Sequence, residues 1–226
     1  MKALLYKEFK LAMHPICYIF IALFPLMILI PQYPLFVGFI YVLSCYPILF
    51  LGANKGQQSN DLLFSTLLPV RKKDIVLARI FTVIFMQVAF MLVMSCLYPL
   101  AYAINQGIID EKTGLPPQGV GFGLSSYVLV LAIALVGYAI ADLIFFPIYY
   151  KHGKSIVMST LLTILGFIVY LTFFTIALPY IIGIEKANSI SLWIQFVALG
   201  GAIALSALIH FFVYKLGSKE LEKVDF

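Results

Sequence analysis

The chain has 226 residues, of which 63% are hydrophobic and only 11% are charged, and its formal net charge is +5. A soluble domain would carry about 25% charged residues, and a core of this size could not hide so much apolar surface from water. The composition excludes a soluble globular protein and predicts an all-α integral membrane protein. The cations lie just outside apolar segments, where membrane topology accounts for them, so no nucleic-acid partner is indicated.

The N-terminal part of the chain predicts a lead-in segment followed by a membrane hairpin. Residues 1–14 hold three lysines among apolar residues, which suits an interfacial helix, although a solvated tail is an alternative. The first span is predicted at about 11–30, and its unbroken apolar core is short for a hydrocarbon layer of about 30 Å. Residues 31–34 are predicted to form a tight external loop, and the second span is predicted at about 35–53.

A polar, charged island, residues 54–79, separates the second span from the next apolar run. It contains a short amphipathic run that Pro69 stops, because proline clashes with the preceding helical turn. Asp74 is then predicted to be the N-cap of an apolar helix from Ile75. Arg79, one turn inside that helix, is expected to snorkel back to the interface. We interpret the run as a short cytoplasmic helix on which a soluble partner could push.

The rest of the chain alternates apolar runs with polar connections. Long apolar runs predict four more spans, and a connection rich in Gly and Pro predicts the one sizeable external loop. The spans are predicted at about 75–104, 124–150, 156–182 and 190–214, with external loops at 105–123 and 183–189.

The distribution of cations gives the orientation. Six spans place both termini on one face, and thirteen of the fifteen Lys and Arg residues then lie on that face, against Lys112 and Lys186 on the other. The positive-inside rule makes the first face cytoplasmic. The prediction is a multi-pass protein of the plasma membrane with both termini in the cytoplasm.

The candidate residues for catalysis or metal binding do not have the spacing that the known motifs require. Gly153-Lys154-Ser155 lacks the glycine that a Walker A loop needs five residues earlier, so no nucleotide or cofactor site is predicted in this chain. The three histidines are far apart and the three cysteines lie inside apolar runs, which argues against a metal site. Only Asp142 lies clearly within a span, so an aspartyl dyad fails by count.

Asp142 is nevertheless a candidate for function. A carboxylate at the bilayer centre costs about 2.5–3.5 kcal/mol, so it needs either a partner or a task. It could line a translocation path, or it could pair with hydroxyl groups of a neighbouring span or meet cytoplasmic water. Gln87 in the third span and His210 in the sixth are weaker candidates for the same path.

Three segments together resemble the small permease subunits of ABC-2-type exporters. They are the N-terminal MKALLYKEFKL, the segment LLPVRKKDIVLARIF at 67–81, and PIYYKHGKS at 147–155. The second is similar to the family's signature between spans two and three, and the six-span plan also fits.

The resemblance implies a coupling helix at about 59–68 that docks in a cleft of a separate ABC ATPase dimer, which would bind ATP and Mg²⁺. It also implies a second permease copy or a paralogue in the same bilayer. The alternative is that the same residues only anchor a loop at anionic headgroups. The residues implied in docking are Asp61, Leu62, Leu63, Phe64, Leu67, Arg71, Lys72 and Asp74.

The sequence therefore predicts a permease subunit without catalytic residues of its own, which exports amphipathic peptides, drugs or other hydrophobic cargo. Two other classes remain open: a membrane-embedded enzyme or protease, and a membrane scaffold without transport activity. Copurification of an ATPase subunit would separate the exporter from the scaffold, and turnover by the purified chain alone would indicate the enzyme.

Overall fold

The computed structural model describes residues 2–12, 15–29, 70–107, 124–152, 156–183 and 189–223, and no strand occurs among them. Short π-helical stretches follow two of the α-helices, at Glu8–Ala12 and Phe173–Ala177, and 3-10 turns lie at Phe24–Leu29 and Leu124–Ser126. The helices are α1 (Lys2–Lys7), α2 (Pro15–Leu23), α3 (Lys72–Gly107), α4 (Tyr127–His152), α5 (Ile156–Thr172), α6 (Leu178–Ile182) and α7 (Leu192–Glu222).

Four of the described segments are long and apolar enough to cross a membrane: Lys72–Ile104, Leu124–Lys151, Val157–Ile182 and Leu192–Glu222. They overlap the predicted third to sixth spans. The first span is represented by a shorter apolar helix, Ile16–Leu29. The second span, the coupling helix at 59–68 and the external loop at 31–34 lie outside the described residues, as does most of the other two external loops.

Two helix ends differ from the prediction. α3 begins at Lys72, before Ile75, and continues to Gly107, so the first residues of the expected external loop are helical. α7 continues to Glu222, although its mixed charges after position 214 predict a solvated tail. The charges did not reveal that Gly217, Ser218 and Leu221 are buried against the bundle, which gives the helix a packed face to its end.

α4 is the central helix of the described bundle and packs most extensively against α7 and α5. Gln195 near the start of α7 donates to the carbonyl of Ser125, and His210 further along reaches Asp142, so α7 runs parallel to α4. Arg79 of α3 instead contacts Tyr149 near the end of α4, and Gln87 contacts Asp142, so α3 runs antiparallel to α4.

Close packing between α4 and α5 depends on a missing side chain. A Cβ atom at Gly137 would lie 2.9 Å from ring atoms of both Phe167 and Tyr170. Aromatic rings pack at this contact between α4 and α5. The ring centroids of Tyr138 and Phe167 are 5.1 Å apart, and the two rings are almost parallel. Small residues let membrane helices approach each other in this way, because dispersion contacts there replace the hydrophobic effect.

Both described ends of the chain lie at the same end of the bundle. Leu4 of α1 is buried with Ile75 and Ala78 in the first turns of α3. Lys73 in the same turns lies 3.3 Å from Glu222, near the end of α7. The N-terminal helix and the C-terminal end of α7 therefore both meet α3 at its start.

The outward faces of α5 and α7 are apolar. Leu165, Trp193 and Phe211 expose 64%, 76% and 62% of their surface, which would be costly in water and suits contact with lipid. Of the two cysteines described, Cys17 is buried in the core and Cys96 is exposed on α3.

Candidate functional site

Asp142 lies in the middle of the bundle and is fully buried. Two small buried residues, Ala139 and Ala141, precede it on α4, and such residues let neighbouring helices come close. Its Oδ2 atom accepts a hydrogen bond from Gln87 Nε2 of α3 at 3.0 Å and lies 3.0 Å from His210 Nε2 of α7. The structure thus brings together the three predicted path residues, which are 55 and 68 positions apart in sequence.

The hydrogen positions in this Asp142 triad (Asp142, Gln87 and His210) follow from its acceptors. His210 Nδ1 lies 2.7 Å from the carbonyl oxygen of Ser206, which can only accept, so Nδ1 carries a hydrogen. One further hydrogen must lie between His210 Nε2 and Asp142 Oδ2. Whether that hydrogen belongs to the ring or to the carboxyl group, the net charge of the pair is zero.

A neutral pair explains how a carboxyl group can be buried here. Burial of an unpaired carboxylate costs the full free energy of transfer out of water. Burial of a neutral pair that shares a hydrogen and accepts a hydrogen bond from Gln87 costs much less. Two of the partners of Asp142 are side chains of neighbouring helices, Gln87 of α3 and His210 of α7. The Asp142 triad therefore ties α3 and α7 to α4.

A second polar cluster lies closer to the start of α3. Glu8 Oε1 is 3.5 Å from both Arg79 Nε and Lys7 Nζ, and Arg79 Nη1 donates to Tyr149 Oη at 2.9 Å. The guanidinium carbon of Arg79 also lies 5.9 Å from the centroid of the Tyr149 ring. We call Lys7, Glu8, Arg79 and Tyr149 the Glu8 cluster; all four are buried.

The Glu8 cluster corrects the expectation that Arg79 snorkels to the interface. The side chain of Arg79 is only 3% exposed and points into the bundle, because the carboxylate of Glu8 and the hydroxyl of Tyr149 contact it there. Sequence reasoning did not find Glu8 or Tyr149. A signal was present in Leu4 and Glu8, which lie one helical turn apart and face the stripe of Ile75, Ala78 and Arg79 on α3.

The residues expected to dock an ATPase are described only in part. Arg71 is exposed, and Lys72 and Asp74 are half-buried at the start of α3. Asp74 is not the N-cap: it lies in the first turn, with its backbone N–H bonded to the carbonyl of Arg71 at 2.9 Å. A carboxylate in the first turn still interacts favourably with the helix dipole. Asp61, Leu62, Leu63, Phe64 and Leu67 lie outside the described residues.

Long apolar helices, an outward apolar surface and buried polar ties between helices define the protein as a multi-helix membrane protein. A family model described as "ABC-2 family transporter protein" matches residues 3–215 of the chain. The chain belongs to this family, and it is an ABC-2-type permease. Membership makes it a membrane-embedded transport subunit and implies an ABC ATPase partner in general. No curated protein and no solved structure matches the chain.

Proposed function

We propose that this permease is the membrane subunit of an ATP-driven exporter, driven through the island at residues 54–79. The observation that carries the proposal is the continuity of α3. It is one helix of 36 residues that begins at the basic end of the island and carries contacts of both polar clusters. At about 1.5 Å per residue it is about 54 Å long, so a displacement of its start is delivered deep into the bundle.

The partner that would push on the island is a cytoplasmic ABC ATPase dimer, which would bind ATP and Mg²⁺. Docking is assigned to a helix at about 59–68, whose apolar residues would enter a groove of the ATPase, with charged residues around it. Two permease copies, or one copy and a paralogue, would enclose the path. Amphipathic peptides, drugs or other hydrophobic molecules are the proposed cargo, because the spans are aromatic and weakly charged.

The Asp142 triad is proposed to lie at the boundary that opens during transport. Rigid-body rocking of the first three spans against the others would separate α3 from α4 and α7. This motion would break the hydrogen bond from Gln87 and turn Asp142 and His210 toward the path. The buried state of Asp142 in the present conformation supports a closed arrangement of these helices.

The experiment is purification of the permease from its native membranes in mild detergent, with a search for a copurifying protein that carries a Walker A motif and hydrolyses ATP. Substitution of Phe64→Asp or Leu67→Asp should remove the ATPase from the purified complex, because a carboxylate would enter the apolar docking face. Ser65→Asp is the matched control, because position 65 would face away from the apolar docking face if residues 59–68 form a helix with 3.6 residues per turn.

Three outcomes would contradict the proposal. A wild-type permease that brings no ATPase would favour a scaffold. Catalytic turnover by the purified chain alone would favour a membrane enzyme. Retention of the ATPase and of ATP hydrolysis by Phe64→Asp and Leu67→Asp would show that docking uses another surface.

A further inference from the structure

We propose that Glu8 is a positioning residue that fastens the N-terminal lead-in helix to α3, so that the two move as one body. We use the term lead-in helix for α1 together with the π-helical stretch Glu8–Ala12 that follows it. The inference rests on the proposed function for its role in transport, but the attachment itself can be tested without any ATPase. The observations that carry it are the burial, the charges and the placement of the Glu8 cluster.

The contact between the lead-in helix and α3 has an apolar and a charged part on one helical face. Leu4 packs against Ile75 and Ala78, and Glu8, one turn later, meets Arg79. The π-helical stretch begins at Glu8, and such stretches are rare and are frequently found at functional sites. Phe9 adds an edge-to-face contact with Phe85, with 5.0 Å between the ring centroids. The lead-in helix therefore follows α3 over about three turns.

The charges make Glu8 the residue on which this attachment depends. Lys7 and Arg79 both lie 3.5 Å from the same oxygen of Glu8, and the three side chains are 10%, 3% and 6% exposed, respectively. With Glu8 ionised, the three groups carry a net charge of +1. Neutral glutamine at position 8 would remove the negative charge that Lys7 and Arg79 share, and stronger repulsion between these two cations would push the two helices apart.

Arg79 contacts the lead-in helix and α4 through groups of different kinds, and this difference determines which contact gives way when α3 moves. Toward the lead-in helix Arg79 meets a buried carboxylate, whereas toward α4 it donates to the neutral hydroxyl of Tyr149. A hydrogen bond to a neutral hydroxyl is more easily exchanged than a buried ion pair is broken. When α3 shifts against α4, Arg79 therefore stays with Glu8, and the lead-in helix travels with α3 and the island.

The test measures the distance between spin labels on the two helices in the permease alone. Labels at Tyr6→Cys and Phe81→Cys replace exposed side chains, in a background in which Cys17, Cys45 and Cys96 are alanine. The parent should give one narrow distance distribution, and Glu8→Gln should widen it about twofold or more as the helices separate. The charge-swapped pair Glu8→Lys with Arg79→Glu should restore the narrow distribution, because the three groups again carry a net charge of +1.

Glu222→Gln is the matched control. It removes the carboxylate of a second ion pair at the same end of the bundle, but Lys73 and Glu222 are 53% and 51% exposed, so the distribution should not change. An unchanged width in Glu8→Gln, or failure of the swapped pair to narrow the distribution, would overturn the proposal.

A second arm separates this inference from the proposed function. With the ATPase bound and trapped with ATP and vanadate, the distance between positions 6 and 81 should stay constant. A change of about 5 Å or more, the size of a one-turn shift between elements, would show that the lead-in helix does not travel with α3. If no ATPase binds the parent permease, the proposed function fails, while the result of the first arm still decides whether Glu8 holds the two helices together.

Discussion

Replacement of His210 by phenylalanine keeps a ring at the same position but removes the nitrogen that faces Asp142 Oδ2. The carboxyl group is fully buried, so it loses the partner that makes the pair neutral. Breaking a buried pair by removing one member costs about 3–5 kcal/mol when the other member is left charged and uncompensated. Since Gln87 still donates a hydrogen bond, we expect the lower end, about 3 kcal/mol.

That loss can be measured as a melting temperature in detergent. For a chain of this length about 1 kcal/mol corresponds to roughly 2–4 °C, so His210→Phe should melt roughly 6–12 °C below the parent. A thiol-reactive fluorophore reports unfolding through Cys17, which is fully buried, once Cys45 and Cys96 have been replaced by alanine.

Two further variants test the reason for the loss. His210→Gln should melt between the parent and His210→Phe, because its amide can still donate to the carboxyl group. Adding Asp142→Asn to His210→Phe should raise the melting temperature again, because it removes the negative charge that His210 no longer balances. If His210→Phe melts like the parent, or if the double variant melts below His210→Phe, the neutral-pair account of the Asp142 triad is wrong.

Three more predictions concern packing and topology. Gly137→Ala should cost about 1–3 kcal/mol, because its methyl group would meet two rings of α5, whereas Gly200→Ala, with open space around it, should be neutral or slightly stabilising in the same melting assay. The fluorescence of the single tryptophan, Trp193, should be quenched more by lipids brominated near the headgroup than by lipids brominated deep in the acyl chain. We expect this because α7 begins at headgroup depth and the Trp193 ring is exposed. A thiol reagent that does not cross membranes should label Asp110→Cys in intact cells and Lys219→Cys only after permeabilisation; the reverse pattern would invert the proposed orientation.

The long apolar helices could be predicted from the sequence because lipid leaves the backbone little choice. A run of twenty or more apolar residues must satisfy its own hydrogen bonds, so α3, α4 and α7 follow from composition and length alone. Their ends were less predictable. The continuation of α7 to Glu222 depends on burial of Leu221 against neighbouring helices, and local charge patterns do not contain that information.

The candidate site was predictable as residues but not as an arrangement. Asp142, Gln87 and His210 stand out because each is polar within an apolar run. Their meeting depends on which helices are neighbours and in which direction they run, and a single sequence does not give helix packing. Glu8 was missed for a related reason: it lies in a short segment of weak periodicity, and its importance comes from Arg79, 71 positions later.

The wide sequence separation within the Asp142 triad has a consequence for how the protein is made. Gln87 precedes Asp142 along the chain, so it is already present when α4 enters the bilayer. His210 is synthesised 68 residues after Asp142. At a synthesis rate of about 5–20 residues per second, Asp142 is made roughly 3–14 seconds before its imidazole partner. During that interval the nascent protein has to shelter a polar group in lipid without its imidazole partner, so the arrival of α7 supplies a chemical contact as well as a packing surface.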